Sequence, residues 1–185
     1  VPTRGQVRQP VNALVVSPDA SWYAVARTGR VDLLSLPPDP KAKPLATLSG
    51  LPGQVSDLVL STDGRRLVAA AGEPGLFGEA RIYDIAADVR KAGPKQAAKL
   101  ARTIRGHADS LNAVALSADA ALLATGSYDR TIVIWETASG KRRVEMTGHN
   151  GPVTDVAFDP RNRFLASASG DRTVKLWNLK TGERL

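Results

Sequence analysis

Hydrophobic and polar positions alternate along this chain in short runs broken by turn residues. LNAVALS (111–117) alternates, ADA turns, ALLATGS (121–127) is a second apolar run, YDR turns, TIVIW (131–135) is a β-branched third, and RRVEMT (142–147) follows the ASGK turn. Runs of about four to seven residues, rich in Val, Ile and Thr and punctuated by Asp, Gly and Ser, predict antiparallel strands rather than helices. Each such group makes one four-stranded meander.

The group repeats. Gly106 and His107 recur 42 residues later as Gly148 and His149, Asp129-Arg130-Thr131 as Asp171-Arg172-Thr173, and Trp135 as Trp177. A period of this size marks a stacked or radial array whose units cannot bury their apolar faces alone. The residue closing each first strand is Ser17, Ser61, Ser117 and Asp159, which predicts four units at about 10–49, 50–105, 106–147 and 148–185. The first has VNALVVS, WYAVAR, a TG turn, VDLLSL and PLATLS. The second has VSDLVLS, RLVAAAG, ARIYD with Tyr83 in the Trp position, and a last strand near KLARTI. Its extra length divides between GEPGLFGEA (72–80), read as a flexible hairpin tip, and a basic segment from Ala86 to Ala98, both expected between strands on the rim.

Composition narrows the class. The chain has 185 residues, 43% hydrophobic and 23% charged, values of a globular domain long enough for a substantial core. It contains no cysteine, which excludes disulfides, thiolate metal sites and cysteine nucleophiles. The longest apolar runs fall far short of the roughly 20 residues that cross a bilayer, so a soluble chain with no membrane partner is expected. The start, VPTRGQVRQP, has no apolar signal core. The formal charge of +7 is dispersed, apart from Arg90, Lys91, Lys95, Lys99, Arg102 and Arg105. That segment suits a polyanion or nucleic acid electrostatically but has no aromatic residue for base stacking, so solvated loops are the simpler reading and a nucleic-acid partner is not expected.

The pattern of GH, about 20 residues, Asp, five residues, Trp, with Ser-Pro-Asp-Gly-like turns between, resembles the WD40 β-propeller family. GHADSLNAVALSADAALLATGSYDRTIVIWE and GHNGPVTDVAFDPRNRFLASASGDRTVKLWN carry the resemblance most strongly, with Trp135-Glu136 and Trp177-Asn178 in place of a literal WD pair. Unit two carries it in LSTDGRRLVAAAG and ARIYD, and unit one in VNALVVSPDA. The resemblance implies an all-β fold, a partial propeller of about four four-stranded blades. It also implies a hydrogen-bonded tetrad within each later blade: His107, Thr125 or Ser127, Asp129 and Trp135, then His149, Ser167 or Ser169, Asp171 and Trp177. A buried indole needs an acceptor and a buried imidazole needs a carboxylate to fix its tautomer, which supports these groupings on physical grounds.

His, Ser and Asp together invite a catalytic reading, but an active site occurs once and this set recurs blade by blade, so it reads as scaffold and no enzyme is expected. Two histidines without cysteine make a poor zinc site, and glycines spaced at three in GEPGLFGEA are not a nucleotide fingerprint; neither metal nor cofactor is expected. The resemblance implies a top face that holds peptides or other proteins, with candidate contacts at Asn12, Ser56, Asn112 and Thr154 entering the first strands and Tyr128 and Gly170 before the turn Asp. The blade order is also similar to propellers behind a c-type haem domain in bacterial chains, which would make the whole protein an exported one. Six to eight blades are usual in the family and the fourth here stops at the counterpart of Arg143. The expectation is therefore an open arc with bare apolar ends that meet further blades of a longer parent chain or a second copy.

Overall fold

A computed structural model describes residues 9–39 and 41–185; the opening segment 1–8 lies outside the described residues. The fold is all-β, in four successive meanders. The first consists of β1 (Ala13–Val16), β2 (Trp22–Ser35) and β3 (Ala46–Gln54). Two strands were expected where β2 stands, and the ladder explains why they merge. The Leu36 amide donates to the Ser21 carbonyl at 2.9 Å, whereas 14 extended residues would hold those ends about 45 Å apart. β2 therefore doubles back on itself at Gly29, whose φ of 73° suits a tight turn. Its first half pairs with β1 and its second with β3.

The second meander is β4 (Asp57–Leu60), β5 (Arg66–Glu73), β6 (Phe77–Ile85) and β7 (Ala98–His107), all antiparallel. A single parallel bridge, Gly53 to Gly72, joins it to β3. The third is β8 (Leu111–Leu116), β9 (Leu122–Ser127), β10 (Ile132–Glu136) and β11 (Arg142–Met146). The fourth is β12 (Val153–Phe158), β13 (Phe164–Ser169) and β14 (Val174–Asn178), with one bridge from Trp177 to Arg184 where an outer strand begins. These sheets do not close on one another.

The turn after each first strand has one chemistry. The hydroxyls of Ser17, Ser61 and Ser117 donate to Asp19, Asp63 and Asp119 at 2.7, 2.5 and 2.6 Å. The third residue after each strand-closing position takes a left-handed conformation: Ala20, Gly64, Ala120 and, after Asp159 in the fourth blade, Asn162. A tight, serine-clamped turn thus sends each chain straight back into its second strand.

The core is three slabs, one between each pair of neighbouring blades. Alternation along β5 shows how they form: Leu67, Ala69 and Ala71 face the first blade, while Val68 and Ala70 face the third. Likewise Val133 and Trp135 of β10 look back at blade two, and Ile132 and Ile134 pack on Val153, Val156 and Trp177 of blade four. Blades two and three are buried on both faces because each is sandwiched.

Of blade two's two insertions, one departs from the expectation and one does not. GEPGLFGEA does not add a loop between strands; it lengthens β5 and β6 themselves, leaving only Pro74–Leu76 as the turn. The 86–97 segment does lie between strands and carries a short helix, α1 (Val89–Ala92), capped by Asp88 and pinned by buried Val89.

Candidate functional site

The entries into the first strands and the turns between second and third strands share one edge of the arc, and beneath that edge two side-chain chains run through the third and fourth blades. In blade three the His107 ring bonds Asp129 Oδ2 through Nδ1 and Thr125 Oγ1 through Nε2, both at 2.8 Å; the Trp135 indole N–H donates to the same hydroxyl at 2.8 Å. Blade four repeats this with His149, Asp171, Ser167 and Trp177, every distance again 2.8 Å. Of the two hydroxyls open at each position, Thr125 and Ser167 stand in these chains. Ser127 and Ser169 are bonded elsewhere: Ser127 donates to the Asp109 and Ser110 carbonyls and Ser169 to that of Gly151, and each accepts from the amide of its turn Asp.

Asp129 sits well below the usual carboxylate range: burial works to raise it, and the hydrogen bonds from His107 and Thr131 with the imidazole's charge outweigh burial. Asp171 is lowered chiefly by the Thr173 hydroxyl, against a raising effect of burial, with His149 and the Asn150 amide adding to it. Both turn aspartates are thus acceptors, locking the histidine ring from below.

Blade two has no such chain. Counted from Ser61 as from Ser117, Leu51 stands where His107 does and Ala69 where Thr125 does, and Tyr83 fills the Trp position; all three are buried. An ion triad around one buried carboxylate replaces it. Glu79, fully enclosed, receives Arg81 Nε and Arg105 Nε, each at 2.6 Å, and the Arg105 guanidinium lies 4.9 Å over the Phe77 ring. Nothing in the 42-residue pattern marks Glu79. Its only local signal is an acid two residues before Arg81 in β6, a strand that also carries the exposed Asp84.

Four residues expected to face partners behave as a series. Ser56 donates to the Leu111 carbonyl at 2.6 Å, and its counterpart Asn112 donates to the Val153 carbonyl at 3.0 Å, each reaching into the next blade. Asp57 works beside Ser56, accepting the Val114 amide at 2.9 Å. Burial pushes the Asp57 carboxyl up, the Val114 and Leu58 amides oppose this, and the Asp155 charge adds to the rise. Ser56 and Asn112 therefore hold blades together. Asn12 Nδ2 is buried without a hydrogen-bond partner, and Thr154 is exposed.

The remaining two stand at the turns. Tyr128 and Gly170 each donate the backbone amide to the entry loop, to Ser110 at 3.1 Å and Pro152 at 2.8 Å. Only Tyr128 projects a side chain, half-exposed, and it flanks a cavity of about 340 Å³ between blades two and three whose walls include Pro74, Gly72, Asp109 and Gln54. The hairpin over that cavity is fastened, contrary to the flexible tip expected. The Gly75 amide donates to Asp109 Oδ1 at 2.8 Å, and a Cβ at Gly53, Gly72 or Gly78 would fall 2.3–2.6 Å from backbone oxygen of a neighbouring strand or loop. Leu76 at its tip is left exposed. Among the described residues no cluster of His, Cys, Asp and Glu side chains has the makings of a metal site, and no helix is long and apolar enough to cross a membrane.

The family model for the WD domain, G-beta repeat, matches residues 98–136 and 140–178. Those bounds hold the outer strand of one blade and the three inner strands of the next. The vegetative incompatibility protein HET-E-1 of Podospora anserina is 54% identical over 39 residues, 21% of this chain and 3% of that protein. The small ribosomal subunit protein RACK1 of Medicago sativa is 46% identical over 44 residues, 24% of this chain and 14% of that one. A chain of the crystal structure of a mitotic checkpoint complex superposes with a TM-score of 0.77 at 26% identity, over 97% of this chain and 53% of its own length. The chain thus spans about half the length of that solved relative and far less of the curated ones. Residues 98–136 and 140–178 are thus WD40 repeats, and the chain as a whole has the fold of the WD40-repeat β-propellers.

Proposed function

We propose that the chain is a non-catalytic scaffold that binds protein or peptide partners on the edge carrying Tyr128. The observation that carries this is the cavity between blades two and three, flanked by one half-exposed aromatic and roofed by a hairpin that is fixed in place. A tyrosine with its ring free and its backbone anchored presents a large amphipathic surface at low entropic cost. Leu76, exposed at the tip of the hairpin whose Gly72 and Pro74 line the cavity, adds an apolar contact beside it, and Asp109 and Gln54 supply polar groups to orient a chain. The side chains with catalytic chemistry support the same reading, because both histidines are consumed in repeated tetrads beneath this edge. RACK1 and the mitotic checkpoint complex, proteins of the same fold, stand by their names in assemblies, which supports partners of the protein class.

Panning a displayed random-peptide library on the chain tests this. Selected peptides are expected to lose at least tenfold in affinity with Tyr128→Ala and with Leu76→Ser, and nothing with Leu100→Ser, an exposed leucine on the outer strand. Peptides equally indifferent to all three substitutions would overturn the assignment.

A further inference from the structure

The cavity beside Tyr128 differs in charge from the chain around it. The chain carries a formal +7, yet no Lys or Arg lines this cavity, and Asp109 is the one carboxylate in its wall. Asp109 Oδ1 accepts the Gly75 amide at 2.8 Å and the Ser110 amide at 2.7 Å, which hold the carboxylate still and occupy that oxygen. Its Oδ2 takes no hydrogen bond and no ion pair among the described residues.

The rest of the wall has acceptors to spare. The Ser56 hydroxyl gives its hydrogen to the Leu111 carbonyl and the Asn112 amide nitrogen donates to the Val153 carbonyl, so lone pairs remain on Ser56 Oγ and Asn112 Oδ1. Tyr128 adds the negative face of a half-exposed ring. Just outside, a Cβ on Gly53 would stand 3.4 Å from Glu73 Oε1, which places a second carboxylate beside Gln54 of the wall. A wall with surplus acceptors, one fixed charge and a π face lacks a cation that brings several N–H donors. At about 340 Å³ the cavity is near the lower end of ligand pockets, roughly 300–1,000 Å³, and suits one long side chain.

We propose that this cavity takes a lysine side chain of the bound peptide, an inference that rests on the peptide-binding role given above and names the residue recognised there. The ammonium donates to Asp109 Oδ2, with Ser56 and Asn112 as neutral acceptors beside it, and the four-carbon stem lies along the Tyr128 ring. Arginine suits the site less well. A guanidinium fork pairs best with both oxygens of a carboxylate, and Oδ1 is already taken by two amides. The chain as a whole repels a basic peptide, so affinity for one has to come from this cavity.

Peptides from the displayed library that bind the parent chain but not Tyr128→Ala are expected to share one lysine. Replacing that lysine by norleucine or acetyl-lysine is expected to lower affinity for the parent chain about tenfold or more, and replacing it by arginine to lower it less. Asp109→Asn keeps an oxygen for the Gly75 and Ser110 amides but puts a donor in place of Oδ2. It is expected to melt near the parent, to lose the lysine peptide to the same degree, and to bind the norleucine peptide as the parent does, so that the two losses do not add. Raising salt from about 50 to 500 mM is expected to weaken the lysine peptide on the parent and not on Asp109→Asn. Tyr128-dependent peptides without a common lysine, full affinity of the norleucine peptide, or losses that add would overturn the lysine assignment and leave the peptide site standing. Peptides indifferent to Tyr128→Ala and Leu76→Ser would overturn both. The peptide substitutions are read on the parent chain, so they decide the matter even if Asp109→Asn does not fold.

Discussion

The hydroxyl of Thr125 accepts the indole N–H of Trp135 at 2.8 Å while standing 2.8 Å from His107 Nε2. One oxygen therefore satisfies two buried ring nitrogens, and its loss strands both. Thr125→Val is expected to cost about 2–4 kcal/mol, since each unsatisfied buried polar group carries its own desolvation penalty. Thr125→Ser keeps the oxygen and is expected within about 1 kcal/mol of the parent, as Ser167 performs the same task one blade on. Trp177→Ala and Asp129→Ala, at the ends of these chains, are expected to cost on the order of 3 kcal/mol. Urea denaturation followed by tryptophan fluorescence orders the four variants; a Val variant as stable as the Ser variant would contradict the shared-acceptor geometry.

Acid is expected to loosen the same chains. Asp129 and Asp171 are both lowered in the folded state, so they bind protons less readily there than in the unfolded chain. Their contribution is complete above the ordinary aspartate value of 3.8 and is lost progressively as pH falls below it toward the folded values. The serine-clamped turn carboxylates Asp63 and Asp119 shift in the same direction and add to the slope. Asp129→Asn removes one proton-linked group and is expected to flatten the dependence of Tm on pH between about pH 4 and pH 2. An unchanged slope would remove Asp129 from the linkage.

The strand pattern and the WD40 likeness were legible because they rest on local alternation and on a spacing that the third and fourth blades repeat. His107, Asp129 and Trp135 could be grouped for the same reason. The choice between Thr125 and Ser127 could not, because residues two apart on a strand share a face and only the backbone decides which reaches the ring. Ser56 and Asn112 have a second part that one blade alone does not show: they line the cavity beside Tyr128, and the carbonyl that takes each one's proton belongs to the next blade. Glu79 was invisible because blade two replaces a repeated solution with a unique one. The fastening of the hairpin was equally hidden, since glycine in sequence signals freedom while here it permits close packing of three backbones.

The serine-clamped turns contain a correctable cost. Ala120 occupies a left-handed position, φ 54°, that Gly64 fills in the preceding blade. An alanine there carries roughly 1–2 kcal/mol of strain, and glycine relieves it while adding some 0.5–1 kcal/mol of unfolded-state entropy. Ala120→Gly is therefore expected to stabilise the chain by about 0.5 kcal/mol, the small surplus of those two terms. Thermal melts of this variant beside Ala121→Gly, at the first residue past the turn, separate relief of strain from a general effect of glycine: only the former is expected to raise Tm.

Two glycines of the blade-two hairpin separate conformational strain from steric exclusion. Gly75 has a φ of 72° and open space around it, so Gly75→Ala adds only the penalty of a left-handed alanine, about 1 kcal/mol. A Cβ on Gly78 would lie 2.6 Å from the Asp109 carbonyl oxygen and 2.8 Å from the Leu111 side chain, without a left-handed φ. Gly78→Ala must therefore push the entry loop of blade three away from blade two. That movement lengthens the Gly75–Asp109 clasp and disturbs the slab that contains Leu111. A cost of about 2–3 kcal/mol is expected for this overpacking, larger than for Gly75 despite the milder backbone conformation. Hydrogen exchange adds a directional readout, with faster exchange expected at the Gly75 amide and at the Tyr128 amide bonded to Ser110, but not at the Gly170 amide of blade four. Equal destabilisation by the two substitutions, or loss of protection spread evenly over both blades, would mean that the hairpin and the entry loop are not packed backbone to backbone.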